Sequence, residues 1–70
     1  MRYLVIYEQG EASWGATVPD LPGCVAVGEN REEAQRLIRE AMALHLEAMK
    51  KDGDPISEPR TDSEFLELAV

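Results

Sequence analysis

The run Pro19-Asp20-Leu21-Pro22-Gly23-Cys24 places two prolines and a glycine within six residues. No helix and no uninterrupted strand can cross it, because each proline lacks a backbone donor and locks φ at about −65°. Pro22 followed by Gly23 meets the requirement of a type II turn: a preset φ at one central position and a positive φ at the next. Pro19 ends the strand before it, and Asp20 can bond the amides just after it. The chain therefore turns a stiff corner here, which leaves room for only short elements on its N-terminal side.

Two strand-like runs fill that side. Arg2 to Glu8 alternates, with Tyr3, Val5 and Tyr7 on one face and Leu4 and Ile6 on the other. Both faces are apolar, which predicts an interior strand with something packed on each side. Gln9 to Ala12 contains Gly10 and suits a hairpin loop. Ser13 to Val18 is the second strand, with Trp14, Ala16 and Val18 on one face. After the corner, Cys24 to Val27 makes a short third strand closed by Gly28.

A helix follows. Asn30 is a good N-cap, and Glu33 three residues on completes a capping-box pattern with acids in the first turn. The helix is predicted to run to about Lys51, with Gly53 as its C′ residue. Ala34, Leu37, Ile38, Ala41, His45 and Ala48 form one stripe at helical spacing. Met42, Leu44, Leu46 and Met49 widen it beyond what a helix on a sheet needs, which predicts a second contact surface. Glu32/Arg36 and Glu47/Lys51 are spaced for i,i+4 ion pairs. Residues 54–63 hold Pro55 and Pro59 and read as an extended link. Residues 64–70 alternate again, with Leu66, Leu68 and Val70 on one face and Phe65, Glu67 and Ala69 on the other. They predict a fourth strand; a helix capped at Ser63-Glu64 is the alternative.

Size and charge narrow the function. Seventy residues make one domain. A core this small supplies about 3–5 kcal/mol, and small domains commonly add a disulfide, a metal or a partner. Cys24 is the single cysteine, so no intrachain disulfide forms. Cys24, His45 and the carboxylates show no zinc spacing. Self-association is left, as a homodimer or tetramer. No signal segment or membrane-length apolar run is present, so a cytoplasmic protein is expected. The net charge of −7 disfavours direct nucleic-acid binding and favours a basic protein partner. Between Arg2 and Arg31 there is no lysine or arginine, so the strand half carries the more negative potential.

The order of these signals resembles one family. Val18-Pro19-Asp20-Leu21-Pro22-Gly23-Cys24, a short strand, a helix opening on Glu32-Glu33-Ala34, and the exit Asp52-Gly53-Asp54-Pro55-Ile56 are similar to HicB-like antitoxins. The likeness covers roughly residues 1–60. It implies a partial ribonuclease-H-like α+β fold, β-β-β-α-β, with a mostly antiparallel sheet and one helix across it. Within a single domain of residues 1–70, it implies a three-stranded sheet (1–28), a helix (30–52), a linker (54–63) and a C-terminal strand (64–70). It also implies a non-catalytic module that neutralises a small basic mRNA-cleaving toxin of the HicA type. The chain looks like a short, stand-alone member without the C-terminal DNA-binding domain that family members commonly carry. The alternative function is an orphan homo-oligomeric interaction module with no toxin.

Candidate residues follow from these readings. Glu8, Glu11, Trp14, Asp20 and Glu29 are the candidates to face a toxin. Pro19, Asp20, Pro22 and Gly23 build the turn. Met42, His45, Leu46, Met49, Phe65, Leu66 and Leu68 are candidates for contacts between copies. Trp14 otherwise belongs to the core, beside small apolar Ala16 and Val18. His45 reads as a packed histidine with one bonded nitrogen, or as a pH-sensitive subunit contact. Cys24 has no base or cation nearby in sequence and reads as a small buried hydrophobe rather than a reactive thiol. No cofactor or metal is expected, and no catalytic set either: a ribonuclease-H-type site needs several carboxylates on the strands, and the first strand offers only Glu8 at its end.

Overall fold

A computed structural model describes residues 1–70. The order is β1 (Ile6–Gln9), β2 (Trp14–Thr17), β3 (Val25–Gly28) and α1 (Arg31–Asp52). The three strands form one antiparallel sheet in the order β1-β2-β3, each joined to the next in sequence. The β1–β2 connection is closed by the Gly10 amide donating to the Ser13 carbonyl at 2.7 Å. The β2–β3 connection is the proline corner. There the Cys24 amide donates to the Leu21 carbonyl at 3.0 Å across Pro22-Gly23. Gly23 has φ +85°, the positive value a type II turn demands at that position.

Cross-strand partners share a face, so the register sorts the sheet into two sides. Tyr7, Ala16 and Ala26 form one row toward the helix, and Gln9, Trp14 and Gly28 the next. Ile6, Thr17 and Val25, then Glu8, Gly15 and Val27, form the opposite side. The core lies between sheet and helix: Ala16, Val18, Leu21, Cys24, Ala34 and Ile38, with Tyr3, Val5, Trp14, Met42 and Leu46 packed on its margin. The proline corner contributes Leu21, which is wholly buried. The corner is thus a plug in the core as well as a turn.

Helix α1 starts and stops as its sequence dictates, with one change of detail. The Asn30 side chain accepts from the Glu33 amide at 2.7 Å, and the Glu33 carboxylate accepts from the Glu29 amide at 2.8 Å. The reciprocal bond of the capping box therefore reaches one residue further back than Asn30 itself. At the other end Gly53 is left-handed, at φ 74°, and its amide bonds the Lys50 carbonyl while the Asp54 amide bonds that of Met49. This pair of bonds is the Schellman arrangement. The buried line on the helix is Ala34 and Ile38, continued by Ala41, Met42 and Leu46. Ala48 and Leu44 fall outside it and are exposed.

Four expectations change. The first strand is shorter than Arg2–Glu8 and is an edge strand, open on its outer face, because nothing in one chain is available to cover that side. Residues 64–70 form neither strand nor helix. They make no bond to another backbone group, since a strand cannot persist without a paired neighbour. Arg36 pairs with Glu40 at 3.5 Å instead of with Glu32, and no ion pair links Glu47 to Lys51. The Arg36–Glu40 pair is well exposed and contributes only a few tenths of a kcal/mol.

Gly28 sets how closely helix and sheet approach. A Cβ built there would lie 2.5 Å from the Ala34 amide nitrogen and 3.0 Å from its Cα. Both contacts are backbone, so nothing can swing aside. Gly28→Ala is expected to cost roughly 1–3 kcal/mol through overpacking. Gly15→Ala, where the nearest atom is 4.0 Å away, is the near-neutral control. Urea midpoints at unchanged m-value separate them; equal midpoints would contradict this account.

Candidate functional site

The residues expected to face a partner divide between the two ends of the sheet. Glu8 is in the last outward row, Glu11 is in the hairpin loop, and Glu29 follows the last residue of β3. These three lie together at the hairpin end and are exposed. Asp20 lies at the other end, in the proline corner. Between them the outer face of the sheet is apolar and open: Val25 is 60 % and Val27 65 % exposed, beside Ile6 at 40 %. Their shared face makes them one exposed apolar surface on the side of the sheet away from the helix. Trp14 belongs to neither group. It points to the helix side, half-buried on the margin of the core.

Asp20 has a task that local sequence does not announce. Its carboxylate does not bond the amides just after it. It accepts from the Arg60 and Thr61 amides at 2.9 Å each and from the Thr61 hydroxyl at 2.6 Å. A second tie lies nearby, where the Tyr3 hydroxyl donates to the Ser57 carbonyl at 2.6 Å. Together they strap the linker after α1 across the corner end of the sheet. The Thr61 hydroxyl, then the Thr61 and Arg60 amides, hold the Asp20 carboxyl below its ordinary pKa of 3.8.

The remaining candidates are placed as follows. Met42 and Leu46 pack against the core of their own chain. His45 and Met49 are half-buried on the helix flank, and His45 makes no hydrogen bond to the protein. Cys24 is buried, and burial pushes its thiol pKa up, away from reactivity. Phe65, Leu66 and Leu68 are exposed. Two features lay outside the sequence reading. Arg31 stacks on the Tyr7 ring at 4.2 Å, joining the first turn of α1 to β1. Gly28 governs the approach of the helix. No three His, Cys, Asp or Glu side chains converge to hold a metal ion, and no helix is long and apolar enough to cross a membrane.

Residues 3–67 match the family described as "HicB_like antitoxin of bacterial toxin-antitoxin system". The chain belongs to the HicB-like antitoxin family. Its match runs past the 1–60 that the motifs alone covered. Antitoxin HicB 2 of Photorhabdus laumondii is 33 % identical over 69 residues, 97 % of this chain and 50 % of that protein. A UPF0150 protein of Thermoplasma acidophilum is 37 % identical over 65 residues, 91 % of each. This HicB-like chain thus spans half the length of the first relative and nearly all of the second. Among solved structures, a HicA3 and HicB3 toxin-antitoxin complex matches with a TM-score of 0.71 at 27 % identity, over 86 % of this chain and 70 % of that one. The fold is that of the family: three antiparallel strands with one helix packed across them.

The depressed Asp20 pKa fixes the sign of a pH effect. A carboxyl whose pKa is lowered on folding adds stability above its unfolded pKa and loses it as pH falls through the folded one. Asp20→Ala is therefore expected to melt below the parent at about pH 6, with the gap closing as the pH is taken toward about 2. A gap that stays constant over that range would refute the strap.

Proposed function

We propose that this HicB-like chain binds and silences a small basic RNA-cleaving toxin of the HicA type, using the outer face of its sheet. Family membership and the match to a HicA3–HicB3 complex support the reading. The single observation that carries the choice of surface is the arrangement of Ile6, Val25 and Val27 beside Glu8, Glu11 and Glu29. An apolar patch rimmed by one sign of charge gives affinity at its centre and steering at its edge. Silencing needs no chemistry in this scheme. A nuclease gathers cationic side chains to hold RNA phosphates, and an acidic surface laid over them competes for the same groups. The action is non-catalytic occlusion.

The test is co-expression with the product of the neighbouring reading frame, followed by purification of the pair at low and high salt. A small basic partner that co-purifies, and is released by salt, is the expected result. Val25→Lys/Val27→Lys is expected to weaken the complex at least about tenfold, which is 1.4 kcal/mol. Glu8→Lys/Glu29→Lys is expected to slow association and flatten its salt dependence. Neither variant touches the core, so folding is monitored by unchanged helical circular dichroism. A neighbour that is not small and basic, or that never co-purifies, leaves the orphan homo-oligomeric module as the better reading.

A further inference from the structure

The strap ends at Thr61, and beyond it the chain makes no hydrogen bond to the body of the molecule. Phe65, Leu66, Leu68 and Val70 are all fully or largely exposed, with Leu66 and Leu68 at 75 % and 74 %. None of residues 55–70 bonds another backbone group. On the body of the molecule, β1 pairs only with β2, and Arg2–Val5 extends it with no backbone pairing at all. A free strand edge and an unpaired alternating segment thus exist in the same small protein.

We infer that Phe65–Val70 is a donor strand, exchanged between two copies of this chain, each laying its tail along the free β1 edge of the other. An open groove of about 600 Å³ runs between Leu4–Tyr7 and the chain's own Ser63–Phe65, with Arg31 beside it. The chain's own tail does not close it. The radius of gyration is 13.9 Å, against about 11 Å for a compact chain of this length. The long axis is 49 Å, and α1 accounts for only about 33 Å of it. The tail projects. From Thr61, nine residues reach up to roughly 30 Å when extended, which is ample to cross to a neighbour.

Cover favours a second copy, and charge suits the same edge. The tail carries Glu64 and Glu67, while Arg2 and Arg31 are the only cations in the first thirty-five residues and lie at β1 and beside the groove. The tail is apolar on both faces, Leu66, Leu68 and Val70 on one and Phe65 and Ala69 on the other. The edge run Tyr3–Tyr7 is apolar on both faces as well. Closing the chain's own edge would cover one side of each and leave the other wet. Two bodies brought together by exchange supply cover for both. Phe65 alone offers on the order of 150–250 Å², and two reciprocal tails bring the buried area to the order of the 1,200 Å² that a stable interface needs. The exchange is isologous, so it closes at two copies and does not propagate into fibres.

The experiment takes the full chain at micromolar concentration, with mass measured by light scattering and amide exchange followed residue by residue. The parent is expected to be a dimer in which amides of 65–70 and of the β1 edge are protected together. Leu66→Asp/Leu68→Asp is expected to weaken the dimer at least about 100-fold, since each carboxylate would have to be buried, and to release both sets of amides at once. Leu44→Asp, on the exposed side of α1, is expected to leave mass and exchange unchanged. The inference is overturned by a monomeric parent, including one whose 65–70 amides are protected by closure on its own edge. A dimer that survives the tail variant overturns it too. None of these outcomes depends on whether a toxin binds the outer sheet face.

Discussion

Everything in this small fold hangs on the place where the end of β3 meets the first turn of the helix with no side chain between them. Gly28 and Ala34 let two backbones approach to van der Waals contact, and the rest of the packing inherits that distance. Small residues on the facing strands, Ala16 and Ala26, keep the same spacing across the sheet. Larger groups sit where the gap widens: Ile38, Met42 and Leu46 along the helix, and Tyr3, Val5 and Tyr7 along β1. Helix capping is part of the same device. Asn30 and Glu33 tie down the turn that includes Ala34, so the turn that makes the closest contact is held by its own cap.

The charges are arranged by end rather than spread evenly. Glu8, Glu11 and Glu29 gather at the hairpin end of the sheet, and at the corner end Asp20 is spent on the Arg60–Thr61 strap. Two carboxylates of one chain thus have opposite fates for reasons of position. Glu8 faces water beside Gly15 and Val27, and its side chain bonds nothing in its own chain. Asp20 is saturated by three hydrogen bonds and holds its own chain together.

What could be read from sequence was what is determined within a few residues. Pro22-Gly23, Asn30 and Gly53 each specify a local backbone state, and each adopts it. The stripe on the helix was legible at Ala34 and Ile38, less so toward Leu44 and Ala48, where the helix runs past the sheet. Asp20 showed the limit. Its residue type announced a hydrogen-bonding turn acid, but its partners are forty residues away, and no local pattern names them. The apolar alternation of Arg2–Glu8 and of 64–70 was legible too, yet a single chain leaves both unpaired. Periodicity reports that a surface is built to be covered and is silent about which molecule covers it. Ion-pair spacing failed for a related reason: Arg36 has acids four residues away on either side, and spacing alone cannot choose between Glu32 and Glu40.

The connectivity of the sheet also bears on speed. Each strand pairs with its immediate successor, and the helix packs on the strand it directly follows. Strand pairing therefore joins successive segments through short loops, which favours quick formation of the sheet, while the helix packs back across it as far as Tyr3 and Val5. Tyr3 to Ser57 and Asp20 to Thr61 add hydrogen-bonded ties across the longest separations in the chain. Synthesis must therefore proceed past residue 61 before the hydrogen bonds that fasten the linker can form.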